Sequence, residues 1–170
     1  LVPKLQLLPE NSIEGLDTNI FKIEEDRDNF DYVYGVEKIK SYKGNKMRSK
    51  KNLVNRFIKD NSSYITKIIN PRSSDNIKQI NDMFEVWRIN KEFSELEICN
   101  EFLALQRIFK IAEKYDMIFL GVYINNKLGG FIIIEPLHNK HAIIHFEKAD
   151  EKYIGIYSFL MQESAKILHA

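Results

Sequence analysis

The 170 residues suffice for one domain, or for one domain and part of another, and a hydrophobic content of 44% excludes a disordered chain. A formal net charge of +1 excludes a protein coated evenly with basic groups for nucleic acid. The single cysteine, Cys99, excludes an intramolecular disulfide framework and is typical of a reducing cytoplasm. No apolar run is long enough to span a membrane, and the abundance of isoleucine, asparagine and lysine indicates an AT-rich bacterial genome.

The beginning of the chain is acidic. Residues 1–35 carry eight Asp or Glu against three Lys or Arg, a net charge of −5. Short strands are predicted at Leu5–Leu8 and Phe21–Ile23, and a strand or sheet edge at Asp31–Tyr34, from their β-branched and aromatic residues. Val36–Tyr42 is predicted to form two helical turns.

The next stretch is strongly basic. Residues 36–60 carry nine Lys or Arg against two acids, a net charge of +7, so nearly all the positive character of the chain lies here. Apolar residues recur at helical spacing after Gly44, which predicts an amphipathic helix over residues 44–60. Lys46 and Lys50 are four residues apart and fall on the apolar side of this helix. Two interpretations stay open: a solvated basic helix, or a basic rim around an anion-binding cleft.

The middle of the chain predicts one strand and two helices. Tyr64–Ile69 is a strand because it is rich in β-branched residues. Ser73 or Ser74 caps the first helix, and the capping box Ser94–Glu97 begins the second. The apolar face of the second helix is expected to place Cys99 in the core.

From Met117 onward the period becomes strand-like. The chain then predicts three strands (Ile118–Ile124, Leu128–Glu135 and His141–Lys148), a tight turn at Asn125–Lys127, a bulge or close backbone approach at Gly129–Gly130, and a final helix Ile156–Leu168. A helix pair, an antiparallel meander, a loop and a helix together predict an α+β domain.

The third strand carries the first candidate chemistry. His145 and Glu147 alternate onto one face in a regular strand, and such a pair can transfer protons; a cross-strand ion pair is the alternative. The loop through residues 151–155 has a glycine before a helix, so it can present backbone N–H groups to an anion. His138, His141 and His145 lack partners at metal-ligand spacing, so we predict no metal site.

Two longer stretches match a family signature in the same order. The run NFDYVYGVEKIKSYKGNKMRSKKNLVNRF resembles the pattern FDYVY…GKKxHxKRNHINRF, and HFEKADEKYIGIYSFLMQE resembles HxEKA…GxYxxINQE. Over residues 30–163 the chain therefore resembles the bacterial DUF2156 family, which is related to the C-terminal domain of phosphatidylglycerol lysyltransferase.

The resemblance implies an α+β, GNAT-like acyltransferase fold, with a mixed, mostly antiparallel sheet flanked by helices. Residues 1–43 would be a remnant or linker of a preceding GNAT-like domain. Residues 44–170 would form a GNAT-like acyltransferase domain that is incomplete at its C-terminus. The next strand of the family would begin after Ala170, which would leave an open sheet edge for a homo-oligomer or another chain.

The resemblance also implies an activity: transfer of an acyl or aminoacyl group to an amine or hydroxyl acceptor such as a lipid headgroup. Aminoacyl-tRNA or acyl-CoA would be the donor. His145 and Glu147 are the candidate catalytic residues. The candidate substrate- or phosphate-binding residues are Lys46, Lys50, Lys51, Asn52, Arg56, Tyr153, Gly155 and Tyr157.

The chain departs from the family pattern at two positions, since Arg48 and Leu53 stand where the pattern has His. These departures favour an alternative, a non-catalytic module that binds RNA or anionic lipid. A half-domain that assembles with a partner chain is the third interpretation. All three fit a cytoplasmic protein at the periphery of the membrane.

Overall fold

The computed structural model describes residues 4–6, 8, 10–91 and 94–169. The chain divides into two compact units, Leu1–Tyr34 and Gly35–Ala170. Each unit is considered separately below.

The first unit contains little regular structure in its described residues. Two 3-10 turns occur at Glu10–Ser12 and Arg27–Asn29. The strands predicted at Phe21–Ile23 and Asp31–Tyr34 are wrong, because this backbone pairs with no other strand in the described part of the chain. The apolar side chains of both segments are exposed, so β-propensity meets no packed surface that would stabilise a strand.

The strand predicted at Leu5–Leu8 is wrong for its described residues. Leu5, Gln6 and Leu8 adopt no strand, and Leu7 lies outside the described residues.

The second unit is an α+β domain, as predicted. Its described residues form five α-helices and four β-strands. In chain order they are α1 (Val36–Ser41), α2 (Arg48–Asp60), β1 (Tyr64–Ile68), α3 (Ser74–Ile89), α4 (Glu95–Ile111), β2 (Ile118–Ile124), β3 (Lys127–Pro136), β4 (Ala142–Ala149) and α5 (Ile156–His169). None of these helices combines the length and apolar character needed to cross a membrane.

The sheet has the order β1-β2-β3-β4, and each described pairing is antiparallel. The predicted meander is therefore confirmed, with β1 added beside β2. Asn125 and Asn126 form the tight turn with positive φ angles of 50° and 63°, a conformation that asparagine tolerates. The predicted bulge is also present, because Val122 pairs with Gly130 whereas Tyr123 pairs with Leu128.

Helices cover both faces of the sheet. One core lies between the sheet and α1, α2 and α5, and the other lies between the sheet and α3 and α4. The first core includes Ile39, Val54, Phe57, Leu120, Val122, Ile132, Phe159 and Leu160. The second core includes Phe84, Trp87, Leu105, Ile108, Phe119, Phe131, Ile133 and Phe146.

Aromatic contacts anchor α2 in the first core. The ring centroids of Phe57 and Phe159 are 4.7 Å apart, and those of Tyr64 and Phe159 are 4.9 Å apart. Each such pair contributes about 0.5–1.5 kcal/mol beyond the burial of its apolar area. The basic helix is therefore fixed to α5 and β1 through its buried side.

Both predicted helix starts are confirmed. Ser73 accepts a hydrogen bond from the Asn76 amide at 3.4 Å, and Ser94 and Glu97 form the capping box. Cys99 is exposed, so its predicted place in the core is wrong. It follows Ile98 by 100° around α4 and falls outside the inward-facing stripe.

Lys148 is a buried cation that ties β4 to the helices above the second core. Its ammonium lies 3.6 Å from the centre of the Trp87 ring and 2.9 Å from Glu101. The exposed fraction of the residue is only 9%, so the aromatic face and the carboxylate take the place of solvent.

Replacing Lys148 with alanine is expected to lower the free energy of unfolding by about 2 kcal/mol, because the ion pair, the cation–π contact and the packing of the side-chain stem are lost together. Lys67→Ala is the matched control, since Lys67 is exposed and lies 5.3 Å from the centre of the Tyr123 ring. Urea unfolding of both variants measures the difference. Equal losses in the two variants would contradict the structural role of Lys148.

Candidate functional site

A β-bulge interrupts β4 at His145. Phe146 pairs with Ile133, but Ile144 pairs with Ile134, so His145 is the extra residue on its strand. A bulge breaks the two-residue alternation of side chains.

The bulge separates the two candidate catalytic residues. His145 Nε2 lies 2.6 Å from Glu135 Oε2, on the face covered by α3 and α4. Glu147 pairs with Ile132, whose side chain belongs to the core under α1, α2 and α5. The predicted shared face is therefore wrong, and His145 takes part in a cross-strand pair instead.

Glu147 combines an enclosed carboxylate oxygen with a raised pKa. Its Oε1 atom is enclosed and accepts no hydrogen bond from any described residue. Burial raises the pKa of Glu147 from 4.5 to about 7, and the nearby charge of Lys50 lowers that pKa in part. A carboxyl group with this pKa changes protonation at neutral pH.

Helix α2 directs Lys50 toward this carboxyl group. Val54 and Phe57 are buried, and Lys50 precedes Val54 by four residues, so all three lie on one side of the helix. Lys50 is itself exposed but acts electrostatically on Glu147, which fits a lysine at the rim of the core. Lys46, in the 3-10 turn before α2, is also exposed.

Two tyrosines complete the surroundings of Glu147. Tyr157 donates a hydrogen bond from its hydroxyl to the Ala149 carbonyl at 3.3 Å, and burial raises its pKa. Tyr42 is buried and donates to the Ser158 carbonyl at 3.1 Å. Burial and the charge of Glu147 raise the pKa of Tyr42 to about 12.

Sequence reasoning missed Tyr42. It ends α1 in the left-handed conformation, with φ 44°, which is uncommon for a bulky residue. A large aromatic residue at the end of a short predicted helix is the only signal in the sequence, and that signal is not specific.

The loop between β4 and α5, residues 150–155, brings the two sequence motifs together. Gly155 has φ +91°, and a Cβ atom there would overlap the Leu53 carbonyl oxygen and lie 2.7 Å from the carbonyl carbon. Only glycine allows this approach of the loop to α2. The contact uses the backbone of Leu53, so it does not depend on the side chain at the position where the family pattern has His.

The other candidate binding residues lie farther out. Asn52 and Arg56 line a shallow groove on the exposed side of α2, together with Arg48, Ser49 and Leu53. Arg56 also contacts Asp60 at 3.4 Å.

Lys51 is exposed on α2. Tyr153 is half-buried in the loop, with the Lys152 ammonium 4.8 Å from its ring centre. Of the predicted residues, Lys50 and Tyr157 thus interact electrostatically with Glu147. Gly155 brings the loop against α2 at Leu53. The described residues include no group of three or more His, Cys, Asp or Glu arranged to hold a metal ion.

Gly155→Ala is expected to separate the loop from α2. Its cost combines a strained backbone with a backbone clash, so it should exceed that of Gly44→Ala by about 2 kcal/mol. Gly44 is the matched control because it has φ +94° and no atom within 4 Å of its Cβ position. Urea unfolding measures both losses, and equal losses would show that the close approach is not needed.

Glu147→Gln tests the buried carboxyl group. The folded state holds this proton up to a pH of about 7 and the unfolded state only up to about 4.5, so the wild type loses roughly 3 kcal/mol of stability as the pH rises between these values. The glutamine variant lacks this loss, and its stability relative to wild type should therefore increase from pH 4.5 to pH 8.

Denaturant unfolding across that pH range provides the measurement. Glu25→Gln, at an exposed carboxylate, is the control and should show a constant difference from wild type. A constant difference for Glu147→Gln as well would contradict the raised pKa.

Comparison with known proteins identifies the family. The family model described as phosphatidylglycerol lysyltransferase, C-terminal, matches residues 9–170. An uncharacterized protein of Mycoplasmoides gallisepticum is 27% identical over 139 residues, which cover 82% of this chain and 44% of the relative.

Two solved structures are similar in fold. A conserved protein of unknown function from Bacteroides thetaiotaomicron has a TM-score of 0.76 and 28% identity, over 85% of this chain and 48% of its own. The second structure is the C-terminal DUF2156 domain of a protein named as a lysylphosphatidylglycerol synthetase from Agrobacterium fabrum. It has a TM-score of 0.50 and 13% identity, over 74% of this chain and 38% of its own.

This chain spans less than half the length of each of these three relatives. The match to the DUF2156 domain concerns the fold, and it confirms the expected α+β, GNAT-like class. Since the family model covers nearly the whole chain, this protein belongs to the family of phosphatidylglycerol lysyltransferase C-terminal domains, as its two motifs predicted.

Proposed function

We propose that this domain transfers an acyl or aminoacyl group from acyl-CoA or aminoacyl-tRNA to an amine or hydroxyl acceptor, with a lipid headgroup as the acceptor class. Family membership supports the reaction class. The observation that carries the proposal is the enclosed carboxyl group of Glu147, with its pKa of about 7 beside Lys50.

Glu147 is the proposed general base. The nucleophilic nitrogen or oxygen of the acceptor attacks the carbonyl carbon of the donor, and the proton of the nucleophile passes to Glu147. The new C–N or C–O bond forms while the C–O or C–S bond to the tRNA or CoA breaks, and the leaving group takes up a proton. A base with a pKa near the working pH is the most effective for this step.

The proposal gives the role of base to Glu147 rather than to His145. His145 contacts Glu135 on the opposite face of the sheet, whereas Glu147 lies on the side of Lys50 and Tyr157. Positioning of the donor between α2 and the loop would supply a further part of the rate.

The donor would be held by positive charge from α2 and by the β4–α5 loop. Lys50 is the cation that acts on Glu147, and Lys46 lies one turn earlier on the chain. Tyr153, Gly155 and Tyr157 belong to the loop and the start of α5 beside them.

Glu147→Gln is expected to lower kcat by roughly 10²- to 10⁴-fold, as removal of a general base does, with little change in the donor Kd. Transfer from aminoacyl-tRNA and from acyl-CoA to phosphatidylglycerol vesicles or to a soluble amine, followed with labelled donor, measures kcat. A fall in kcat below a pH of about 7 is expected for the wild type, because protonated Glu147 cannot accept a proton. Full activity of the glutamine variant would exclude this base.

Lys50→Ala provides a second readout of the same site. Loss of the positive charge should move the acidic limb of the pH–rate profile to higher pH, because the pKa of Glu147 rises further. Lys59→Ala, at the far end of α2, is the control and should leave the profile unchanged.

A non-catalytic module that binds RNA or anionic lipid is the second candidate. The exposed groove lined by Arg48, Asn52 and Arg56 favours it. Thermal shift with acetyl-CoA, tRNA and anionic lipid headgroups distinguishes the two functions. Stabilisation by tRNA that falls steeply with salt, without any transfer, supports the module, and the lipid arm tests attachment at the membrane periphery.

Assembly through a sheet edge is a separate proposal. β1 and β4 are the outer strands of the described sheet, and Ile143 and Ile144 on β4 are exposed. Exposed apolar side chains on an edge strand favour pairing with another chain. A mass measurement in solution tests this, and a stable monomer would contradict it.

A further inference from the structure

The ion pair between Lys91 and Glu151 crosses from one layer of the domain to the other. Lys91 follows the C-terminus of α3, where its amide donates to the Arg88 carbonyl at 3.0 Å. Its ammonium contacts the carboxylate of Glu151 in the β4–α5 loop. α3 packs on one face of the sheet and the loop leads to α5 on the other, so the pair lies beyond the carboxyl end of β4.

The pair belongs to the same neighbourhood as the proposed base. The charges of Glu151 and Glu147 raise the pKa of Tyr157, and the charge of Lys91 lowers it. Tyr157 donates to the carbonyl of Ala149, the last residue of β4. Lys91, which no sequence motif includes, therefore lies beside the loop that the proposed donor would occupy.

The other cation of the loop is paired with a buried carboxylate. The ammonium of Lys152 lies 2.6 Å from Asp150, which is buried, and 4.8 Å from the ring centre of Tyr153. The two pairs differ in their carboxylates, since the Asp150 side chain is 10% exposed and that of Glu151 is 45% exposed; the Lys91 side chain is 32% exposed. Ion pairs with this exposure contribute little to stability, so an incoming anion can replace Glu151 as the partner of Lys91.

We infer that Lys91 is a phosphate-binding residue of the donor site and that Glu151 occupies it in the free protein. Binding of a donor phosphate exchanges the Lys91–Glu151 pair for a Lys91–phosphate pair. Glu151 thus acts as an internal competitor that weakens binding of every anionic donor. This inference rests on the proposed function, because it names a further residue of the same site.

The test measures the Kd of acetyl-CoA, tRNA and inorganic pyrophosphate by calorimetry at low ionic strength. Lys91→Ala is expected to weaken binding by about tenfold, the usual effect of losing a charge-assisted contact. Glu151→Gln is expected to tighten binding by about threefold, since the competing pair is weak. The double variant should match Lys91→Ala, because Glu151 acts only through Lys91.

The exposed pair Lys78–Asp82 on α3 supplies the control, with a separation of 2.6 Å. Lys78→Ala and Asp82→Asn should leave all three Kd values unchanged, and thermal unfolding of each variant shows that the fold is retained. The three probes also distinguish the source of the phosphate, since only the true donor class should show the full response to Lys91→Ala.

Weaker or unchanged binding by Glu151→Gln overturns the inference, because the carboxylate would then support the loop rather than compete. If the wild type binds a probe and the variants behave as expected but no transfer occurs, the proposed function fails and the binding role of Lys91 stands. If neither the wild type nor Glu151→Gln binds any probe, both fail.

Discussion

The close approach of Gly155 to the backbone of Leu53 is the constraint on which the candidate site depends. It brings the loop after β4 against the basic helix, although the two segments are about a hundred residues apart in the sequence. Packing of the Phe57 ring on the Phe159 ring also holds α2 against α5, the helix that follows this loop. The aromatic contact on the buried side of α2 and the glycine contact together fix α2, and with it Lys50, relative to the end of β4 that carries Glu147.

Burial and a neighbouring charge have opposite effects on the pKa of Glu147. Removal from water favours the neutral acid, and Lys50 favours the carboxylate. Burial is the larger effect, so the pKa of Glu147 rises to about 7 although Lys50 opposes the rise. Lys148, the next residue, is also buried, but its charge is compensated by an ion pair with Glu101 and a cation–π contact with Trp87. Adjacent residues of one strand thus place the proposed base on one face of the sheet and a structural ion pair on the other.

Local signals in the sequence were enough for most of the second unit. The capping box at Ser94, the Asn125–Asn126 turn and the meander depend on neighbouring residues and on the two-residue period, and these were predicted correctly. The family resemblance, which two ordered motifs carry, was confirmed by the match over residues 9–170.

Features that depend on tertiary contacts could not be predicted from local sequence patterns. The bulge at His145 arises from the pairing with β3, so a regular period placed it wrongly beside Glu147. Cys99 sits next to an apolar position, and only the packing of α4 decides which of the two faces inward. The segment at Phe21–Ile23 has the composition of a strand but no partner in the described part of the chain. The contact of Lys91 with Glu151 joins positions sixty residues apart that no motif connects.

The β-bulge has a further consequence for how the strand tolerates change. It divides β4 into two segments. In each segment the pairs with β3, before or after His145, determine which face of the sheet a side chain lies on. If His145 were instead paired regularly opposite Ile133, one segment would slip by one residue along β3 and turn its side chains over. If the second segment turned, the lysine would enter the core meant for the carboxyl group, and the carboxyl group would meet Trp87. The extra residue at His145 therefore determines which face of the sheet carries Glu147 and which carries Lys148.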